Sequence, residues 1–144
     1  MRLSMKTDYG LRALVDLAER YGRGPVQSAE IAARQNIPEY YLDQLLITLR
    51  RAGLVRSTRG PQGGHTLARP ASDISAYDVI VALEGSLAPL ACLEEGSTPL
   101  EEDTGLRYVW QRMRAAVEPV LRSITVAELV ERQRIHEARL VWTI

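Results

Sequence analysis

The 144-residue chain is short of the residues that most often announce chemistry: it has one cysteine and two histidines. Cys92 has no partner for an intrachain disulfide, and one thiol excludes an all-cysteine metal cage within one chain. Two histidines argue against a multi-histidine centre. Long apolar runs are missing too. The best, Val79 to Leu83, is five residues, against the roughly 20 needed to span a membrane. The first residues, MRLSMK, hold no apolar signal core, so the expected location is the cytoplasm and no membrane partner is expected. No phosphate loop, nucleotide fingerprint, histidine-rich metal spacing or nucleophile–base pair is recognisable, which argues against an enzyme.

What is present suits one compact domain with a sizeable core: 46% hydrophobic and 25% charged residues. The net charge of zero conceals an asymmetry. Residues 1–70 hold 11 Lys+Arg against 6 Asp+Glu, whereas residues 71–144 hold 7 against 12. A basic first half suggests a polyanionic partner, and an acidic second half a different task. Of the 18 basic residues only Lys6 is lysine, which carries little weight because GC-rich coding favours arginine.

Periodicity predicts a helix over Thr7 to Tyr21, with Leu11, Leu14, Val15 and Ala18 on one face and Gly22, Gly24 and Pro25 ending it. Ser28 is read as the N-cap of a short helix through about Gln35. Asn36, Ile37 and Pro38 make a tight connection. A helix from about Glu39 to Ala52 follows, with Leu42, Leu45, Leu46 and Leu49 on one face and Gly53 at its end. Leu54 to Thr58 and His65 to Arg69 read as short strands joined by RGPQGG, a hairpin signal. A short helix is expected over Ser75 to Leu83, capped by Ser75 with Asp78, then an aperiodic loop over residues 84–105. The clearest amphipathic helix is Leu106 to Ile124, which Pro119 is expected to interrupt and kink. Thr125 and Glu128 form a capping-box pattern opening a helix to about Ile135, with the last residues extended or disordered.

Helix, short helix, tight turn, helix and glycine-rich hairpin is the order of a mainly α, winged helix-turn-helix fold with a two-stranded wing. The second helix of the pair must pack its leucines inward and offer the opposite face to the major groove. That face carries Tyr40, Tyr41, Gln44, Thr48 and Arg51. Gln44 suits an adenine edge, and Thr48 a base or phosphate. The hairpin tip offers Arg59, Gly60, Pro61, Gln62 and Gly63, an arginine at a slim tip being suited to a narrow minor groove. Lys6 and Tyr9 are candidate phosphate contacts, with Arg50 and Arg56 in support and Ser28 at the start of the second helix. The competing reading is a winged domain that binds protein, in which the two tyrosines simply pack.

The segments MRLSMKTDYGLRALVDLA, SAEIAARQNIPEYYLDQLLITLRRAGLV and STRGPQGGHTLARP resemble the Rrf2 family of bacterial winged-helix regulators, which includes the IscR, NsrR and CymR types. The similarity runs on through WQRMRAAVEPVLRSITVAELV, although His65 stands where the family usually has tyrosine. The resemblance implies a homodimeric regulator, read as a repressor, on a pseudo-palindromic double-stranded operator. It implies that the long helix is the dimerisation helix, with Leu106, Val109, Trp110, Met113, Val117, Val120, Leu121 and Ile124 at the interface. The expected division is a DNA-binding head at 1–83, a sensor-type loop at 84–105, and the dimerisation and C-terminal helices at 106–144.

Family members with an iron–sulfur cluster carry three cysteines in that loop. Here Cys92 takes the first place, Thr98 and Thr104 the other two, and Arg107 that of a histidine ligand. Threonine is a poor cluster ligand and a guanidinium offers iron no lone pair. The expectation is therefore no cofactor of the standard kind. Three alternatives stay open: a cluster-free regulator answering to a small-molecule or protein effector; a redox switch at Cys92, which Glu94 and Glu95 disfavour; and an unusual cluster or metal shared across a dimer by Cys92, Asp8, His65 or the loop acids Glu94, Glu95, Glu101, Glu102 and Asp103.

Overall fold

A computed structural model describes residues 4–85 and 105–143 of the chain. Helices α1 (Met5–Glu19), α2 (Ser28–Gln35) and α3 (Glu39–Arg51) come first. Strands β1 (Val55–Thr58) and β2 (Gly64–Leu67) follow, then α4 (Ala76–Glu84), α5 (Gly105–Ser123) and α6 (Val126–Thr143). β1 and β2 pair antiparallel in register Val55 to Leu67 and Thr58 to Gly64.

The leucine spacings translate into one shared core. Leu14 and Leu17 of α1, Ile31 of α2, and Leu42, Leu46 and Leu49 of α3 are fully buried together with Leu54, Ile74, Val79 and Val126. Each such side chain contributes roughly 1.5–3 kcal/mol when taken out of water. α1 is the common wall, packed against α2, α3, α4, α6 and β2. Its Gly10 lies so close to Leu83 of α4 that any Cβ there would collide with the leucine side chain.

Local signals set the element ends. Asn36 takes a left-handed conformation (φ 53°) that closes α2, and Pro38 opens α3. Gly53 (φ 78°) follows α3, with Leu54 N–H donating to the Leu49 carbonyl at 3.0 Å. Ser75 and Asp78 form the expected capping box of α4, at 3.1 and 3.0 Å.

Several expectations need correction. α1 begins and ends two residues earlier than its apolar period suggested. Ser28 is not an N-cap: Gln27 holds that position and Ser28 is the first helical residue. The reason is that Val26 exchanges two backbone bonds with His65, which keeps the chain extended through Gln27. α5 runs through Pro119 as one helix. α6 continues to Thr143 instead of stopping near Ile135, because nothing from 126 to 143 is glycine or proline. Pairs Arg132–Glu128, Gln133–Glu137 and Arg134–Glu131 line it. The Thr125–Glu128 box is half made: Glu128 N–H donates to Thr125 Oγ1, while the Glu128 carboxylate turns to Arg132. Cys92, Thr98, Thr104 and the acids from Glu94 to Asp103 lie outside the described residues.

α6 does not stand apart from the head. Val126 and Val130 belong to the same cluster as Leu14, and Val126 N–H donates to the Ile74 carbonyl at 2.9 Å. The α5 stripe is divided. Trp110, Met113 and Leu121 pack with Tyr77 around Ile80 of α4, and the Arg122 guanidinium lies 3.9 Å over the Tyr77 ring. Val117 and Ile124 are half-buried, Val109 and Val120 are exposed, and the Leu106 side chain lies outside the described residues.

One buried charge joins the first two helices. Asp16 of α1 is 1% exposed. It accepts from Arg34 Nε and Nη2 at 3.0 and 2.9 Å, Arg20 Nη1 at 3.2 Å and Gln35 Nε2 at 3.2 Å. Hydrogen bonding to Asp16 holds the Arg34 guanidinium above its ordinary pKa. Asp16→Ala removes every one of these charge-assisted bonds, while both arginines can reach water. The expected cost is about 2–3 kcal/mol, read as a lower urea midpoint at unchanged m. An unchanged midpoint would show that the network does not brace the head.

Candidate nucleic-acid interface

α3 divides as its sequence predicts. Leu42, Leu45, Leu46 and Leu49 are buried, while Tyr40 is 80% exposed and Gln44, Arg50 and Arg51 face solvent. Thr48 is half-buried, and its hydroxyl donates to the Gln44 carbonyl at 3.2 Å. Tyr41 is half-buried and meets Tyr9 of α1 edge to face, with centroids 5.7 Å apart. Arg12 lies 5.6 Å over the same Tyr9 ring. For Tyr41 and Tyr9, then, packing is a definite role: the pair ties the outer face of α3 to α1. Lys6 is exposed on the first turn of α1, and Ser28 is half-buried.

The wing extends from this platform. Arg59, Gly60, Pro61 and Gln62 are exposed at its tip, and Arg56 is exposed on β1. Gly63 is not part of the exposed tip: it is buried, and its N–H donates to the Gly60 carbonyl at 2.9 Å. A Cβ on Gly63 would run into the Thr58 backbone. The tandem glycines thus serve the turn itself, and Gly63 has no free N–H for a phosphate.

Val26 is joined to the wing by an isolated antiparallel bridge to His65. Val26 N–H donates to the His65 carbonyl at 2.9 Å, and His65 N–H to the Val26 carbonyl at 2.7 Å. Gly64 sits at φ 150° with the Val26 backbone where a side chain would go, its ideal Cβ falling 2.6 Å from the Val26 oxygen. The Gln27 amide reaches the Pro61 and Gly63 carbonyls at 3.4 and 3.5 Å, both long. His65 is half-buried, its Nδ1 2.9 Å from Ser57 Oγ. Burial pushes its imidazole below the ordinary value, Asp43 opposing and Arg50 adding to the shift.

Sequence reasoning missed Gln27, Asp16, Arg20 and Arg34 as the groups that set these surfaces. A signal existed for one of them: Asp16 is an acid inside the apolar face formed by Leu14, Val15 and Leu17, with arginine four residues on.

A helix pair with a leucine face inward, a polar face outward and a braced, arginine-tipped hairpin defines a winged helix-turn-helix protein. The family model for Rrf2, described as an iron-dependent transcriptional regulator, matches residues 3–132. The HTH-type transcriptional regulator CymR of Bacillus subtilis (strain 168) is 41% identical over 129 residues, 90% of this chain and 89% of that protein. The solved structure of CymR (YrzC), the global cysteine regulator of B. subtilis, superposes with a TM-score of 0.75 at 38% identity, covering 92% of this chain and 98% of that one. The structure of T. potens IscR gives 0.74 at 40% identity, covering 92% and 88%. The chain belongs to the Rrf2 family of transcriptional regulators and functions as a DNA-binding regulator.

The family description implies iron, and the donor set can be tested against it. The chain supplies one thiol, and Arg107 lies exposed on α5 as a guanidinium, which has no lone pair to offer iron. Asp8 is ion-paired with Arg12 at 2.6 Å, and His65 is tied into the wing. Among the described residues no three of His, Cys, Asp or Glu converge to hold a metal. These residues do not fit a three-cysteine cluster.

Gly64→Ala is expected to push β2 away from Val26, costing about 1–3 kcal/mol and weakening operator binding, while far-ultraviolet dichroism stays helical. Retained stability together with full affinity would show that the close approach is not required.

Proposed function

We propose that the chain is a homodimeric, sequence-specific regulator that reads double-stranded operator DNA with α3 in the major groove and the wing tip in the adjacent minor groove. The observation that supports this most is the pairing of an exposed Tyr40, Gln44 and Arg51 face on a rigidly packed α3 with a wing braced to present Arg59. Gln44 and Arg59 are the base-directed groups. Lys6, Tyr9, Thr48, Arg50 and Arg51 hold phosphates, and Gly60, Pro61 and Gln62 shape the tip. Ser28 meets the backbone at the start of α2.

The second copy joins through α5. Tyr108, Val109 and Val120 leave apolar surface exposed on that helix beyond what α4 covers. Further apolar surface is exposed on α6 at Ile135, Leu140, Val141 and Trp142. A twofold dimer then presents two recognition helices to half-sites about one helical turn, or a multiple of it, apart. No described helix is long and apolar enough to cross a membrane. As a regulator acting on DNA, the chain is expected to work in the cytoplasm and to catalyse no reaction of its own.

Operator affinity is expected to fall steeply with salt, with a log–log slope near −0.9 per phosphate contact. Arg59→Ala is expected to cost about 1–3 kcal/mol on operator, and Gln44→Ala to relax base preference. Equal loss on random DNA would assign Arg59 to phosphate. A salt-independent, protein-only interaction would overturn the reading.

The single thiol supports regulation without a standard cluster, and a small molecule or a protein partner is then the proposed effector. Anaerobically purified protein is expected to be colourless, with iron and acid-labile sulfide well below stoichiometric. Visible charge-transfer bands with stoichiometric iron and sulfide would contradict this.

A further inference from the structure

The last residue of α4, Glu84, is turned back onto the first turn of α1. Its Oε1 accepts from the Ser4 N–H at 3.2 Å, from Thr7 Oγ1 at 2.8 Å and from the Ser4 hydroxyl. Ser4 occupies the N-cap position of α1 but makes no side-chain cap bond of its own. The Glu84 carboxylate therefore acts as a cap supplied from another helix, at the end where the helix dipole favours negative charge. Thr7 is 2% exposed, so one end of this attachment is rooted in the interior, while Glu84 is half-buried and Ser4 lies at the surface. Lys6 lies between the two anchored residues with its side chain exposed, and Tyr9 follows, packed edge to face against Tyr41 of α3. The first turn of α1 is thus held from one side by α4 and from the other by α3.

Close to DNA, a carboxylate by itself repels phosphate. Here its oxygen is occupied by α1. Hydrogen bonds from Ser4 and Thr7 hold the carboxyl below the usual carboxylate range, with a smaller contribution from the Lys6 charge.

We propose that Glu84 is a positioning residue for DNA binding: it fixes the first turn of α1 so that Lys6 and Tyr9 meet the phosphate backbone. This rests on Lys6 as a phosphate contact, and the experiment separates the two statements.

The experiment compares the full-length protein with Glu84→Ala, Glu84→Gln, Lys6→Ala and the Glu84→Ala/Lys6→Ala double variant. Operator affinity is measured by fluorescence anisotropy across a salt series, and melting is followed in parallel. Glu84→Ala is expected to weaken binding about five- to tenfold and to flatten the log–log salt slope by about 1.8, the loss of one phosphate contact from each protomer of the dimer. Glu84→Gln, which keeps an acceptor oxygen, is expected to retain affinity within about twofold, because the proposal requires the acceptor more than the charge. In the Lys6→Ala background, Glu84→Ala is expected to add less than about twofold.

The sign is decisive, since removing an acid that merely repelled DNA tightens binding. Tighter or unchanged binding by Glu84→Ala, where Lys6→Ala weakens it, overturns the proposal. So does weaker binding at an unchanged salt slope with a lowered melting temperature, the mark of general destabilisation. Full affinity and slope in Lys6→Ala would instead remove the phosphate contact itself, and the proposal with it.

Discussion

A single carboxylate organises the head of this protein. Asp16 is buried on α1, where an ion without partners is costly enough to prevent folding in this form. Its partners come from two directions: Arg20 one turn along the same helix, and Arg34 with Gln35 from the end of α2. Satisfying Asp16 therefore fixes where α2 lies on α1. α3 follows because only Asn36, Ile37 and Pro38 separate it from α2, and the left-handed Asn36 sets the turn. The attitude of the recognition helix is thus set well away from its own exposed face.

The wing depends on the same wall. The link between α1 and α2 passes through Val26 and Gln27, and both hold the hairpin, Val26 through two backbone bonds and Gln27 through its amide. Gly64 lets the two backbones approach, and Gly63 lets the turn close. A displacement of α2 would carry the wing with it, so α3 and the wing are coupled through α2. On the opposite side, α6 extends the core of the head through Val126 and Val130, and α5 leans on α4 through Trp110, Met113 and Leu121. The described helices of the second half are thus continuous with the core of the head.

Much of this fold was legible because its signals are local. Leucines at helical spacing mark α1 and α3, Gly53 marks the end of α3, and Ser75 with Asp78 marks the start of α4. The exposed face of α3 follows from the buried one. The rest was hidden because its causes are long-range. Nothing near Ser28 shows that Val26 is held extended by His65, 39 residues away in sequence. Glu84 reads as the polar end of a helix until Ser4 and Thr7 are seen against it. Gly63 reads as open backbone at a tip until its turn is closed. The even stripe on α5 gave no sign that Trp110, Met113 and Leu121 would pack on α4 while Val109 and Val120 remain exposed.

In the proposed dimer, one protomer contributes one reading unit, α3 with its wing, and two such units act together. Hydroxyl-radical footprinting on operators selected from a random DNA pool tests it most directly. The expected result is a pseudo-palindrome whose half-sites lie about one helical turn, or a multiple of it, apart, with minor-groove protection beside each half-site. A single asymmetric site with no minor-groove protection, or a failure to select any sequence, would contradict it.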